Sequence, residues 1–305
     1  MNPLDRAILA LDGLTIGDSF GQRFFGEETA VLGRIAERRL PRAPWKMTDD
    51  SIMAIGIVET LKAEGAINQD DLARRFAENY KRDPWRGYGG MAHTVLQAIH
   101  SGERWQDVAP AVFSGSGSFG NGAAMRVAPL GAFFADDLPT LEQEAVRSAE
   151  VTHAHPEGIA GAVAVAAAAA FAFNHRDDEA SALGEALLRF VCDITPVGET
   201  RNGIAHACRL PLTESIQTAA SELGNGAGIS SQDTVPFVIW CAARHLDDFE
   251  TALFETVSGL GDRDTTAAMV GGIVSLRVGY NGIPPTWLES RESLGDWLTD
   301  NGSSE

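Results

Sequence analysis

The sequence predicts an all-α fold, and three features of its patterning lead to that prediction. Ten stretches place apolar residues at the i, i+3, i+4 spacing of an amphipathic helix, whereas alternating runs typical of strands are scarce. The longest apolar run, GIAGAVAVAAAAAFAF at 158–173, is rich in alanine, whose small side chain lets neighbouring helices approach closely. We therefore expect one all-α domain over residues 1–298, with this run as a central buried helix and a flexible polar tail over 299–305.

The predicted helices follow one another without a proline- or serine-rich linker and without an internal repeat of about 20–50 residues. This continuity favours a single compact bundle of many helices. In chain order the predicted helices cover residues 3–13, 50–64, 69–80, 90–101, 141–152, 156–173, 178–191, 234–246, 248–258 and 265–279.

Charge and composition argue against several classes of protein. The 305-residue chain has 24 basic and 42 acidic residues, a formal net charge of −18, so most of its surface would repel nucleic acid and anionic membranes. A small phosphate-bearing ligand is still compatible with this charge, because backbone N–H groups can bind it locally. The three cysteines lack CxxC spacing, and charged residues interrupt the N-terminal apolar stretch. We expect a cytoplasmic protein, monomeric and without a signal peptide.

Two glycine-rich segments separate predicted helices. In GLTIGDSFGQ (13–22), the glycines are as compatible with the end of a helix as with close approach to a ligand. In GSGSFGNGAAMR (115–126), four glycines are interleaved with serine and asparagine, which leaves many backbone N–H groups available for an anion. The second segment matches GxGxxG, but no strand precedes it and no βαβ unit surrounds it, so a Rossmann interpretation fails.

Two predicted helices begin with a threonine and two aspartates, which are Thr48, Asp49 and Asp50 in one and Asp262, Asp264 and Thr265 in the other. A capping threonine and an acidic first turn explain either cluster by itself. Together, four carboxylates and two hydroxyls form an all-oxygen ligand set suited to Mg²⁺ or Mn²⁺, and two divalent cations would balance the four negative charges. Spacing alone leaves open whether the two helices meet.

Two histidines precede the alanine-rich helix, whose first position is Pro156. Histidines at a helix start are more often capping or packing residues than catalysts. For His153 and His155, spacing alone leaves both roles open.

Five stretches, taken in order, resemble the ADP-ribosylglycohydrolase family: GLTIGDSFG, TDDSIMA, GSFGNGAAMRVAPLG, THAHPE and GDRDTTAAMVGGI. The resemblance implies a compact orthogonal multi-helix bundle around a binuclear Mg²⁺ or Mn²⁺ site, with Thr48, Asp49, Asp50, Asp262, Asp264 and Thr265 as ligands. It also implies that ADP-ribose is bound by Gly117, Ser118, Phe119, Gly120, Asn121, Gly122 and His153, whereas His155 is structural.

The resemblance further implies hydrolysis of the bond at C1″ of ADP-ribose, through an oxocarbenium-like state helped by carboxylates and a positioned water. Asp50 and Asp264 are the expected catalytic residues. The expected acceptor is protein arginine. The alternatives are ADP-ribosyl-serine, a small ADP-ribosyl metabolite, or a non-catalytic protein that binds ADP-ribose or serves in immunity. A cognate ADP-ribosyltransferase is an expected partner.

The chain departs from the family pattern at two positions. Many relatives carry a glutamate where Phe25 stands, and Glu27 or Glu28 could replace it from a shifted loop. If neither does, an arginine-directed activity built on the aspartates is favoured over a serine-directed one. Relatives usually have a small residue where Arg263 stands between two aspartates, and this guanidinium could pair with substrate phosphate or point to solvent.

Overall fold

The computed structural model describes residues 1–179 and 182–298, and the regular secondary structure of these residues is helical. Pairing of the β type is confined, in this described part, to isolated bridges of Trp45 with Arg291 and of Gly120 with Ser230. The all-α prediction is therefore confirmed. The tail predicted over 299–305 lies outside the described residues.

The described residues form sixteen α-helices, and the ten predicted helices each overlap one of them. In order they are α1 (Pro3–Gly21), α2 (Glu28–Ala36), α3 (Asp49–Glu64), α4 (Gln69–Arg82), α5 (Gly90–His100), α6 (Trp105–Gly115), α7 (Ala128–Phe133), α8 (Leu138–Glu150), α9 (Pro156–Asn174), α10 (Leu183–Ile194), α11 (Glu199–Ala207), α12 (Ile216–Leu223), α13 (Ser231–Arg244), α14 (Phe249–Ser258), α15 (Arg263–Gly282) and α16 (Pro285–Ser290). Periodicity does not predict α2, α6, α7, α11, α12 and α16.

The predicted end of the first helix at residue 13 is wrong, because α1 continues to residue 21. The glycines of this stretch let α1 pack directly on the backbone of α15. A Cβ atom on Gly17 would lie 2.0 Å from the carbonyl oxygen of Ala267, and one on Gly13 would lie 2.3 Å from that of Gly271. Because such distances exclude any side chain, Gly13 and Gly17 serve helix packing, and they neither end the helix nor form a ligand loop.

The alanine-rich helix α9 lies in the core, as predicted. Every residue from Ala160 to Phe173 is buried. Helices α7, α8, α10, α13 and α15 pack around it. By length and composition α9 could cross a membrane, but 83% of its apolar window is buried inside the bundle, which is the environment of a core helix.

Candidate active site

Three helices bring carboxylates together at one end of a cleft. Asp18 comes from α1, Asp50 from α3 and Asp264 from α15, and one carboxylate oxygen from each lies within 4.8 Å of the others. Asp18 and Asp50 are buried, and Asp264 is half-buried. The two acidic clusters predicted from the sequence therefore meet, and α1 adds a third carboxylate. Asp18 lies within the GLTIGDSFG stretch, but sequence patterning assigns it no role.

The carboxylate of Asp18 accepts hydrogen bonds from Thr48 and Ser51. Thr48 donates from its backbone nitrogen at 2.8 Å and from its hydroxyl at 2.7 Å, and Ser51 donates from its backbone nitrogen at 3.3 Å and from its hydroxyl. The Thr48 hydroxyl also lies 2.9 Å from Oδ2 of Asp50. Thr48 occupies the N-cap position of α3 but makes no side-chain capping bond. Capping therefore does not explain its hydroxyl, which binds the acidic cluster.

The second acidic cluster is held by the first turn of α15 and by the glycine-rich loop. Helix α15 begins at Arg263, two residues before the predicted start, so Asp264 and Thr265 lie in its first turn and Asp262 is its N-cap residue. Oδ2 of Asp262 accepts a hydrogen bond from Nδ2 of Asn121 at 2.8 Å. Oδ1 of Asp264 accepts one from the backbone nitrogen of Thr265 at 2.9 Å. The loop and the helix start are thus joined directly.

Burial raises the pKa of the clustered carboxyl groups, and their mutual repulsion adds to the effect. The pKa of Asp18 rises to about 6, chiefly through burial. Burial, together with the charge of Asp18, raises the pKa of Asp49 to about 8. Burial and the neighbouring carboxylates also raise the pKa of Asp50 and of Asp264 well above the usual range. Carboxylates gathered in this way require either protons or a cation between them.

The donor set of this cluster fits divalent cations. Carboxylate and hydroxyl oxygens are the ligands that Mg²⁺ and Mn²⁺ prefer. Oδ1 of Asp50 is buried without a hydrogen-bond partner among the described residues, a costly arrangement that a bound cation would relieve. The buried guanidinium of Arg126 is held by the carbonyl oxygen of Ser148 at 2.8 Å and by the ring of Phe76 at 4.4 Å. Its charge lowers the pKa of Asp49, but burial of that carboxyl outweighs this effect.

A cleft of about 450 Å³ opens from the carboxylates. Its rim is apolar, since Phe113, Phe119 and Ile229 are 46%, 36% and 63% exposed and the two phenylalanine rings lie 5.4 Å apart. The segment that leads into α5 forms a further wall. The predicted site residues that line the cleft are Asp49, Asp50, Ser118, Phe119, Gly120, Asn121, Gly122, His153, Asp262, Asp264 and Thr265. Thr48 and Gly117 are not among the lining residues.

The glycine-rich loop packs against the ring of His153. A Cβ atom on Gly122 would lie 2.7 Å from Cε1 of this histidine, and one on Gly120 would lie 3.3 Å from its Nε2. Gly117 has a φ of +75°, and a Cβ there would lie 2.7 Å from the backbone nitrogen of His155. Gly117 therefore shapes the loop from behind the cleft lining.

The two histidines differ in their surroundings. Burial, with the positive charge of Arg126 adding to it, lowers the pKa of His153 to about 3. Nδ1 of this histidine lies 2.8 Å from the hydroxyl of Thr152. A neutral imidazole in this position can hydrogen-bond a ligand but supplies no positive charge. Nδ1 of His155 accepts a hydrogen bond from the backbone of Glu157 at 3.1 Å and caps α9, which is a structural role.

Phe25 and Arg263, the two residues at which the chain departs from the family pattern, contact each other. Phe25 is 43% exposed, and Cζ of Arg263 lies 5.1 Å from the centroid of its ring. Glu27 caps α2 by accepting hydrogen bonds from two backbone N–H groups of that helix, and Glu28 is exposed. In the described part of the chain, neither glutamate lines the cleft. Replacement of the missing family glutamate by Glu27 or Glu28 stays a hypothesis.

Fold and site together define a class of protein, an all-helical protein with an acidic, oxygen-lined centre at the end of a glycine-lined cleft. The ADP-ribosylglycohydrolase family model matches residues 1–303, so the chain belongs to this family. The family resemblance predicted from the five motifs is therefore confirmed.

Relatives of the chain agree with this assignment. It is 32% identical to ADP-ribosylhydrolase ARH3 of Bos taurus, over 92% of this chain and 87% of that protein. It is 25% identical to the ADP-ribosyl-[dinitrogen reductase] glycohydrolase of Rhodospirillum rubrum, over 93% of this chain and 89% of that protein. Among solved structures, an ADP-ribosylglycohydrolase-related protein complex shares the fold, with a TM-score of 0.69 at 24% identity over 97% of this chain and 95% of that chain. The protein is a hydrolase of ADP-ribose linkages.

Proposed function

We propose that the protein uses divalent cations held by its carboxylates to hydrolyse the bond between C1″ of ADP-ribose and an acceptor side chain, which releases free ADP-ribose. The observation that carries this proposal is the meeting of Asp18, Asp50 and Asp264 within 4.8 Å at the end of the glycine-lined cleft. Glycoside hydrolysis passes through an oxocarbenium-like state that carboxylates stabilise. One relative is named for action on an ADP-ribosylated protein, dinitrogen reductase.

The glycine-rich loop is the proposed site of the diphosphate. A chain with a net charge of −18 needs local N–H donors to hold phosphate, and the loop from Ser118 to Gly122 brings its backbone to the cleft. Phe119 lies at the apolar rim, where its ring can pack against the base or a ribose. The neutral ring of His153, packed beneath Gly122, can hydrogen-bond a ribose or phosphate oxygen.

Two Mg²⁺ or Mn²⁺ ions are the proposed cofactors, and the residues that would hold them are Thr48, Asp49, Asp50, Asp262, Asp264 and Thr265. When bound, such cations supply Lewis-acid charge that offsets the carboxylates and polarises sugar hydroxyl groups. Asp18 positions the start of α3 through its hydrogen bonds with Thr48. We assign the orientation of the attacking water to Asp50 or Asp264, because both line the cleft and Oδ1 of Asp50 has no other partner in the described residues.

The acceptor within this function stays a prediction. Protein arginine is the expected acceptor, and it is favoured over serine if neither Glu27 nor Glu28 replaces the glutamate absent at Phe25. ADP-ribosyl-serine and small ADP-ribosyl metabolites are the alternatives. The proposed target is a substrate that a cognate ADP-ribosyltransferase has modified. The protein is proposed to act in the cytoplasm and as a monomer.

A linkage-resolved assay tests the function. The protein is incubated with Mg²⁺ and peptides carrying ADP-ribosyl-arginine or ADP-ribosyl-serine, and free ADP-ribose is measured by chromatography. We expect release from at least one peptide, and a loss of more than about 100-fold in Asp50→Asn. Asp107→Asn is the matched control, because this carboxylate is 72% exposed and outside the site. Tight binding of ADP-ribose, without release of ADP-ribose from any substrate, would identify a binding protein and refute the proposed hydrolase activity.

A further inference from the structure

Phe25 and Arg263 form a unit next to the acidic cluster, although 238 positions separate them in the sequence. The guanidinium lies 5.1 Å from the ring centroid, a cation–π contact. The backbone of Arg263 is fixed as well, since a Cβ on Gly21 would lie 2.3 Å from its carbonyl oxygen. The next residue, Asp264, belongs to the three clustered carboxylates. The guanidinium of Arg263 is near enough to Asp264 for the two charges to attract each other.

The hydrogen-bond donors of Arg263 are largely unused. Within the described residues its guanidinium forms no ion pair, and its Nε is buried without a hydrogen-bond partner. Arg86, another partly buried arginine, pairs with Glu292 at 2.6 Å. The carboxylate that attracts Arg263 most strongly is that of Glu28, which is exposed and therefore screened by solvent and salt. Donors left free in this way are available to a ligand.

Arg263 lies outside the cleft that is proposed to hold ADP-ribose. Under the proposed function, ADP-ribose fills the cleft with its C1″ at the carboxylates, so the acceptor lies beyond them. Neither Phe25 nor Arg263 is among the residues that line the cleft, and Asp264 connects the pair to it. A pair that adjoins the carboxylates but lies outside this cleft is available to the acceptor.

We propose that the Phe25–Arg263 pair determines acceptor specificity, favouring acidic over basic groups next to the hydrolysed linkage. The inference rests on the proposed function and deepens it. A guanidinium with unused donors binds a carboxylate through paired hydrogen bonds and repels lysine or arginine. The ring of Phe25 covers one face of the guanidinium and keeps its charge at the site. Because a modified arginine retains cationic character, the pair also disfavours ADP-ribosyl-arginine, contrary to the arginine acceptor expected from the sequence.

Two pairs of peptides test this inference. One pair is modified on serine and the other on arginine, and within each pair only the flanking residues differ, glutamate in one peptide and lysine in the other. The values of kcat and KM are measured separately for wild type, Arg263→Gln, Arg263→Lys and Phe25→Leu. Arg23→Gln is the matched control, since it removes an exposed charge from the same segment as Phe25. Circular dichroism confirms that each variant is folded.

Wild type is expected to prefer acidic flanks by about fivefold, mainly through KM, and to lose this preference at high salt. Arg263→Gln is expected to abolish the preference, Phe25→Leu to reduce it, and Arg263→Lys and Arg23→Gln to retain most of it. An unchanged preference in Arg263→Gln, or a wild-type preference for basic flanks, would overturn this inference while leaving the hydrolase intact. Absence of release from all four peptides would refute the proposed function and this inference with it.

Discussion

The hydroxyl oxygen of Thr48 lies 2.7 Å from Oδ1 of Asp18, and this hydrogen bond joins the start of α3 to the last turns of α1. The backbone N–H of Thr48 donates to the other oxygen of the same carboxylate at 2.8 Å. Asp18 thereby holds the helix start that carries Asp49 and Asp50. The geometry of the acidic cluster therefore depends on α1. The glycines of α1 allow this helix to pack closely on α15.

Replacement of Asp18 by asparagine is expected to weaken the response to Mg²⁺ and the rate of hydrolysis by about 10–100-fold. The amide oxygen still accepts hydrogen bonds, but the amide nitrogen cannot accept those that Thr48 or Ser51 donates to the carboxylate oxygen that it replaces. Because the change also removes a buried negative charge, the cation-free variant is expected to melt at the wild-type temperature or above it. Thermal melts with and without Mg²⁺ measure both effects. A variant with wild-type stabilisation by Mg²⁺ and a wild-type rate would contradict this role of Asp18.

The stability of the cation-free protein is expected to fall as pH rises from about 4 to about 8. In the folded protein the pKa is about 6 for Asp18 and about 8 for Asp49, above the value of about 3.9 in an unfolded chain. The folded state therefore binds more protons than the unfolded state across this interval, and it loses that advantage as the pH rises. Added Mg²⁺ is expected to flatten the dependence, because it stabilises the ionised carboxylates.

Melting temperatures measured across this pH interval, in a chelator and in excess Mg²⁺, check the prediction. A cation-free protein whose melting temperature increases throughout the interval would show that the cluster does not control the pH dependence.

Gly17→Ala is expected to destabilise the fold by about 3 kcal/mol, because the new Cβ would lie 2.0 Å from the carbonyl oxygen of Ala267. Activity is expected to fall as well, since Asp18 is the next residue. The control is Gly33→Ala in α2, where a Cβ meets nothing within 4 Å and a gain of up to about 1 kcal/mol is expected. Urea denaturation measures both variants. Equal stability of Gly17→Ala and wild type would disprove the close packing of α1 on α15.

His153 is expected to stay neutral from about pH 5 to about pH 8, because burial lowers its pKa to about 3. The ring ¹⁵N chemical shifts, assigned by comparison with His153→Gln, are expected to remain at neutral values. A titration of these shifts with a midpoint inside that interval would show that the ring carries charge in the working enzyme.

The helices that periodicity predicts are those long enough to repeat an apolar stripe several times. Five of the helices it does not predict contain 6 to 9 residues, too few for the repeat to stand out. The sixth, α6, has 11 residues, but the non-helical backbone of Val112, Phe113 and Ser114 interrupts it. The extension of α1 has a different cause. Glycines commonly end helices, but contact with the backbone of α15 overrides that tendency here. The four-residue spacing of Gly13, Gly17 and Gly21 was the available signal for close helix packing.

The candidate site is less accessible to sequence reasoning than the fold. The oxygen-rich ligand set can be predicted, because each threonine–aspartate cluster lies within a few consecutive residues at the start of a helix. The meeting of Asp50 with Asp264 and the contribution of Asp18 depend on how α1, α3 and α15 cross, which no local pattern contains. The contact between Phe25 and Arg263 is likewise tertiary, and sequence comparison shows them only as two separate departures.

The most direct measurement is the initial rate of ADP-ribose release from a modified peptide after removal and re-addition of divalent cation, for wild type and for the Asp49→Asn/Asp264→Asn double variant. Wild type is expected to lose activity in a chelator and to recover it with Mg²⁺ or Mn²⁺, whereas the double variant stays inactive in both conditions. Undiminished release by chelator-treated wild type, or wild-type release by the double variant, would contradict cation-dependent hydrolysis at this cluster.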